Sequence, residues 1–122
     1  MTDFSQLRIS SPGDLLDALK AEAVGTASQW FHENAGAVSG YLESLADASM
    51  RTTRALAEGR IPPEQATMIF ADQKAAFIQT FEFSTFMTAV LAQKLLDGLF
   101  GIVGWTVLRH TGINLFPELV RP

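Results

Sequence analysis

The sequence predicts an all-α protein, a long antiparallel helical hairpin completed by homo-oligomerisation into a four-helix or larger bundle. Three observations carry that expectation. Apolar residues recur every three or four positions along two long stretches, a proline-bearing turn at residues 59–62 separates them, and the second stretch is too apolar for one seam to cover.

The chain's 122 residues suit a single domain with a core of its own. Nine Lys and Arg against thirteen Asp and Glu leave a net charge of −4, and the basic residues are not clustered, so no nucleic acid partner is expected. Without cysteine there are no disulfides, thiol nucleophiles or thiolate metal sites. Met1–Ser10 has no basic start followed by an apolar run. A cleaved signal peptide is therefore not expected, and the predicted location is cytoplasmic or inside a particle.

Residues 1–10 read as a polar N-terminal arm. Helix 1 is predicted over 11–58, where Ser11 can cap, Pro12 loses nothing by lacking an N–H, and Asp14 lies near the positive helix end. Its buried stripe is Leu16, Leu19, Ala23, Ala27, Trp30, Asn34, Val38, Tyr41, Leu45, Ser49, Thr52 and Leu56. Gly25, Gly36 and Gly40 each weaken the helix by roughly 1 kcal/mol relative to alanine. No proline falls between Pro12 and Pro62, so one long helix is expected, with Gly36–Gly40 as the place for a kink.

The turn at 59–62 pairs Gly59, suited to a left-handed helix end, with prolines that stop one helix and start the next. Helix 2 is predicted over 63–111. Arg109 and His110 lie at its negative end, and Gly112 opens a C-terminal tail, 112–122. Each helix would be roughly 70 Å long. Facing residue numbers in the full hairpin add to about 121, which places Trp30 near Leu91 and Leu16 near Trp105.

Helix 2 is the anomalous element. From Ala75 to Phe116 the only charged residues are Glu82, Lys94, Asp97 and Arg109, while seven aromatic residues fall in that span. Phe70, Phe77, Phe81, Phe83, Phe86, Val90, Leu95, Leu99 and Ile102 cannot all face one thin partner. They are the predicted oligomer interface. Glu82 and Lys94 interrupt this surface and are candidates for setting register through buried ion pairs. Gly98, Gly101 and Gly104 would allow a close crossing. The alternative is that both helices break and short pieces fold back into a compact monomer with a fatter core.

No pattern in the sequence supports chemistry. Glu-x-x-His, the signature of a carboxylate-bridged metal pair, does not occur. Two histidines without cysteine do not make a zinc site, and the spaced glycines lack the preceding strand of a dinucleotide fingerprint. Arg109 and His110 together could bind an anion, but the sequence places them in no pocket. No catalytic residue, cofactor or metal is expected. The leading functional expectation is a structural or scaffold protein acting through self-assembly, as in a phage particle or secretion apparatus. Two alternatives are an amphipathic protein on a membrane or apolar granule and a small-molecule-binding bundle.

Overall fold

A computed structural model describes residues 4, 7–82 and 86–120, with only the backbone of residues 80–82. Within these residues the chain is all-helical. The elements are α1 (Pro12–Thr26), α2 (Ser28–Glu33), α3 (Ala35–Ala57), α4 (Pro63–Glu82) and α5 (Ala89–Thr111).

The start of α1 follows its sequence signals. Ser11 Oγ accepts a hydrogen bond from the Asp14 amide at 3.1 Å, and Pro12 occupies the first turn. Asp14 Oδ2 in turn accepts from the Ser10 amide at 3.1 Å and the Ser10 hydroxyl at 3.0 Å. These bonds, the Ser10 amide first, hold the Asp14 carboxyl below its ordinary value. Its contribution to stability is therefore present above the unfolded-state pKa of 3.8 and is lost as pH falls through the lower folded value. NMR titration of Asp14 should show a midpoint below 3.8. Ser11→Ala should raise that midpoint and destabilise the chain by about 1 kcal/mol in urea denaturation.

The predicted helix over 11–58 is divided in three. Ala27 (φ −139°, ψ 58°) and Asn34 (φ −122°, ψ 23°) leave helical geometry, although their amides still bond Ala23 and Trp30 carbonyls. Neither break is at Gly36–Gly40, which lie inside α3. The two breaks flank a short corner, α2, beyond which α3 turns back to pack against α1. Trp30 fills the corner and is fully buried. Folding back is favourable because Leu15, Leu19 and Ala23 of α1 and Val38, Leu42 and Leu45 of α3 can then all be buried with α5. In a straight helix they would share one thin seam.

The turn after α3 is closed by a pair of backbone bonds. Gly59 adopts φ +71°, its amide bonds the Leu56 carbonyl and the Arg60 amide bonds the Ala55 carbonyl, the Schellman arrangement. The chain then reverses into α4, which lies on α3. Tyr41 donates from its hydroxyl to the Gln73 carbonyl at 2.6 Å and stacks on Phe77 at 4.3 Å between ring centroids. Burial pushes the Tyr41 phenol well above its ordinary value, so it remains a neutral donor. Phe77 also meets Trp30 edge-on at 6.0 Å, where the full-length hairpin placed Leu91.

The predicted helix over 63–111 is divided as well. Phe86 has φ +64°, and Thr88 caps α5 by accepting from the Leu91 amide at 3.1 Å. A non-glycine residue in the left-handed region and a new N-cap cannot lie inside one continuous helix.

Breaking both helices is what covers α5. This segment is long and apolar enough to cross a membrane by length and composition, yet 61% of its most apolar window is buried inside the chain. It packs on α1, α3 and α4, and Phe4 and Phe116 cover part of the surface that these leave. Phe4 stacks on Trp105 at 6.4 Å. Phe116 packs near Phe70 and Phe100 at 6.0 and 6.2 Å, with the Lys74 ammonium over both the Phe100 and Phe116 rings. Asn114 braces this tail, donating from Nδ2 to the Val120 carbonyl and accepting at Oδ1 from the Phe116 amide.

Gly98, Gly101 and Gly104 make the coverage close. A methyl group on Gly98 would run into the Glu22 carboxylate, one on Gly101 would lie 2.7 Å from Phe4, and one on Gly104 would lie 2.8 Å from Phe116. The three glycines thus admit α1, the arm and the tail in turn. The close crossing expected of them is intramolecular.

Candidate functional site

Of the nine residues predicted to form an oligomer interface, five are in the core of one chain. Phe70, Phe77, Leu95 and Leu99 are fully buried and Ile102 is 3% exposed. A side chain already surrounded by its own chain cannot also form the surface that meets a partner, so these five leave the predicted interface. Phe86 and Val90 remain, exposed by 46% and 74%. The side chains of Phe81 and Glu82, and Phe83 as a whole, lie outside the described residues.

Lys94 is on the surface rather than in a seam. It lines a cleft of about 670 Å³ between α1 and α5, together with Glu22, Asp97 and Glu118. Among the described residues it forms no ion pair, since the one such pair joins Arg60 to Glu58 at 3.0 Å.

The exposed apolar surface is concentrated on the outer side of α4 and at the corner where α4 gives way to α5. Only Ala66, Phe70 and Phe77 of the described α4 side chains are fully buried. On the opposite side Met68, Ala71, Ala75 and Ile78 are exposed, at spacings of three, four and three. That spacing generates one straight stripe along a helix. Two small residues at its centre would let another helix approach closely.

At its C-terminal end the stripe runs into a groove of about 380 Å³. Ile78 forms one side, and Met87, Ala89, Ala92 and Leu96 form the other with Thr88 and Gln93. The groove lies where α4 and α5, separate elements, come into contact. Ser84, Thr85 and Thr88, a cluster of capping residue types amid the phenylalanines, are the sequence signal that this boundary was there to be found.

Among the described residues the groove's lining holds no charged or histidine side chain. Among the described residues no three His, Asp or Glu side chains gather into a group that could hold a metal ion. The described lining of the groove is mainly apolar. The chain matches no family model, and comparison with curated proteins and with solved structures finds no significant similarity. Function must be argued from the geometry.

Proposed function

We propose that the chain is a structural protein that acts by self-assembly, pairing through the α4 stripe and the adjoining groove. The observation that supports this reading is the run Met68, Ala71, Ala75 and Ile78, exposed on a helix whose other face is fully used. An antiparallel two-fold pairing sets Met68 against the second copy's Ile78 and Ala71 against its Ala75, an isologous contact that closes on itself. Phe86 and Val90 extend the apolar surface past the end of the stripe.

One term opposes this pairing. Glu64 and Glu82 bracket the stripe by position, so each approaches the other's counterpart across the two-fold axis. Like charges at such spacing disfavour association by only about 0.2–0.5 kcal/mol a pair. Burial of partly exposed Ile and Met side chains, at about 25 cal/mol per Å², outweighs it. The pairing should therefore tighten as salt rises and screens the carboxylates.

Ile78→Glu tests the reading directly. Because Ile78 is exposed by 46% in the single chain, the substitution should leave the thermal unfolding midpoint of the dilute, dissociated chain nearly unchanged. It should weaken association by at least about tenfold, read by sedimentation of a dilution series. Unaltered association in this variant and in Met68→Glu would remove α4 from the interface.

A further inference from the structure

The described methionines are distributed unevenly between core and surface. Met50 is buried in the core, Met87 is half-buried in the groove beside α5, and Met68 stands on the α4 stripe with 67% of its surface exposed. The two that lie outside the core thus belong to the stripe and its groove, and Met68 is more exposed than Ile78 at the other end of the stripe.

The stripe carries long apolar side chains only at its ends. Ala71 and Ala75 between them offer one methyl group each, so an antiparallel two-fold pairing relies on Met68 against Ile78 and makes that contact twice. A thioether is apolar and flexible, which suits the contact. Its sulfur also carries a lone pair open to oxidants. Attack on hydrogen peroxide forms an S–O bond as the O–O bond breaks; the sulfur gives up two electrons, and the hydroxide that leaves takes the remaining proton and becomes water. The product is a polar sulfoxide whose oxygen accepts hydrogen bonds. In the pairing it would face an isoleucine, which donates none, so its burial is unfavourable.

We propose that Met68 is a modification site, and that its conversion to the sulfoxide by a peroxide releases the α4 pairing. This inference rests on the self-assembly reading above and names a regulation of that same surface. Pairing and oxidation oppose each other, because the second copy covers the sulfur and the sulfoxide weakens the contact that would cover it.

The test treats the full chain with hydrogen peroxide, follows each methionine by peptide mass spectrometry, and reads association by sedimentation of a dilution series. In dilute protein Met68 should oxidise fastest and core Met50 slowest, and oxidation of Met68 should slow as protein concentration rises. The Met68 sulfoxide should weaken association by about tenfold or more, with helical circular dichroism unchanged. Reduction by a methionine sulfoxide reductase, at the expense of a thiol, should restore it. Met68→Leu, apolar and of similar volume, should associate like the parent and keep associating after peroxide. An oxidised chain that associates as before, or a Met68→Leu chain as sensitive to peroxide as the parent, would overturn this inference and leave self-assembly standing. An untreated chain that never associates, with Met68 oxidised at one rate at every concentration, would overturn both.

Discussion

Phe77→Ala is expected to destabilise the chain by about 3–5 kcal/mol, a large share of the roughly 5–15 kcal/mol available to a domain. The ring is fully buried and touches both Trp30 and Tyr41, so its removal empties the junction of α2, α3 and α4. No neighbour can collapse into that space without moving a helix. Urea denaturation followed by helical circular dichroism should show the midpoint falling steeply. The size of the loss should not change with protein concentration, because every partner of the ring is in the same chain. A loss that shrank as concentration rose would return Phe77 to a subunit interface, since association stabilises by mass action.

Gly104→Ala is expected to cost about 1–3 kcal/mol, more than any propensity gain from alanine can recover. The added methyl would lie 2.8 Å from the Phe116 ring, 3.1 Å from Val120 and 3.3 Å from Phe116 Cβ. The last of these stiffens the conflict, since moving the Phe116 Cβ moves the backbone. The tail must lift, and with it the rings around Lys74. Hydrogen exchange should report faster exchange at Phe116–Val120 amides before the helices respond. Gly98→Ala provides the contrast, because the only atoms in its way belong to the flexible end of Glu22, which can swing toward solvent. A Gly104→Ala variant as stable as the parent, with an unaltered tail, would mean that the tail does not close over α5.

Much of the fold was legible one residue at a time. The Ser11 cap, the Gly59 reversal and the Arg109–Gly112 terminus each depend on two or three adjacent residues, and each lies where its local chemistry directs. The buried stripe was legible too, with Leu19, Ala23, Ala27, Trp30, Val38, Leu45 and Leu56 all inside. Continuity was not legible. Ala27 and Asn34 carry no breaking signal strong enough to predict a bend, and the bends form because distant segments compete to bury α5. That competition is a tertiary effect, invisible to a helical period that continues in phase across both breaks.

The candidate site was read in part for the same reason. Excess apolar surface on the second half of the chain was evident, but the leading expectation gave it to a partner, with broken helices folded into a compact monomer only as the alternative. Phe70, Phe77, Leu95, Leu99 and Ile102 are covered by the chain itself, and Phe4 and Phe116, from the segments read as a polar arm and a tail, help cover α5. What remains outside is the opposite face of α4, whose Ala71 and Ala75 are too small to register as hydrophobic anchors.

Absolute mass in dilute solution, by light scattering after size exclusion with and without mild detergent, tests the central claim most directly. Self-assembly through α4 predicts a defined multiple of 13.3 kDa that persists without detergent and falls toward 13.3 kDa in Ile78→Glu. A 13.3 kDa particle at every concentration, or an association that forms only in detergent, would contradict it.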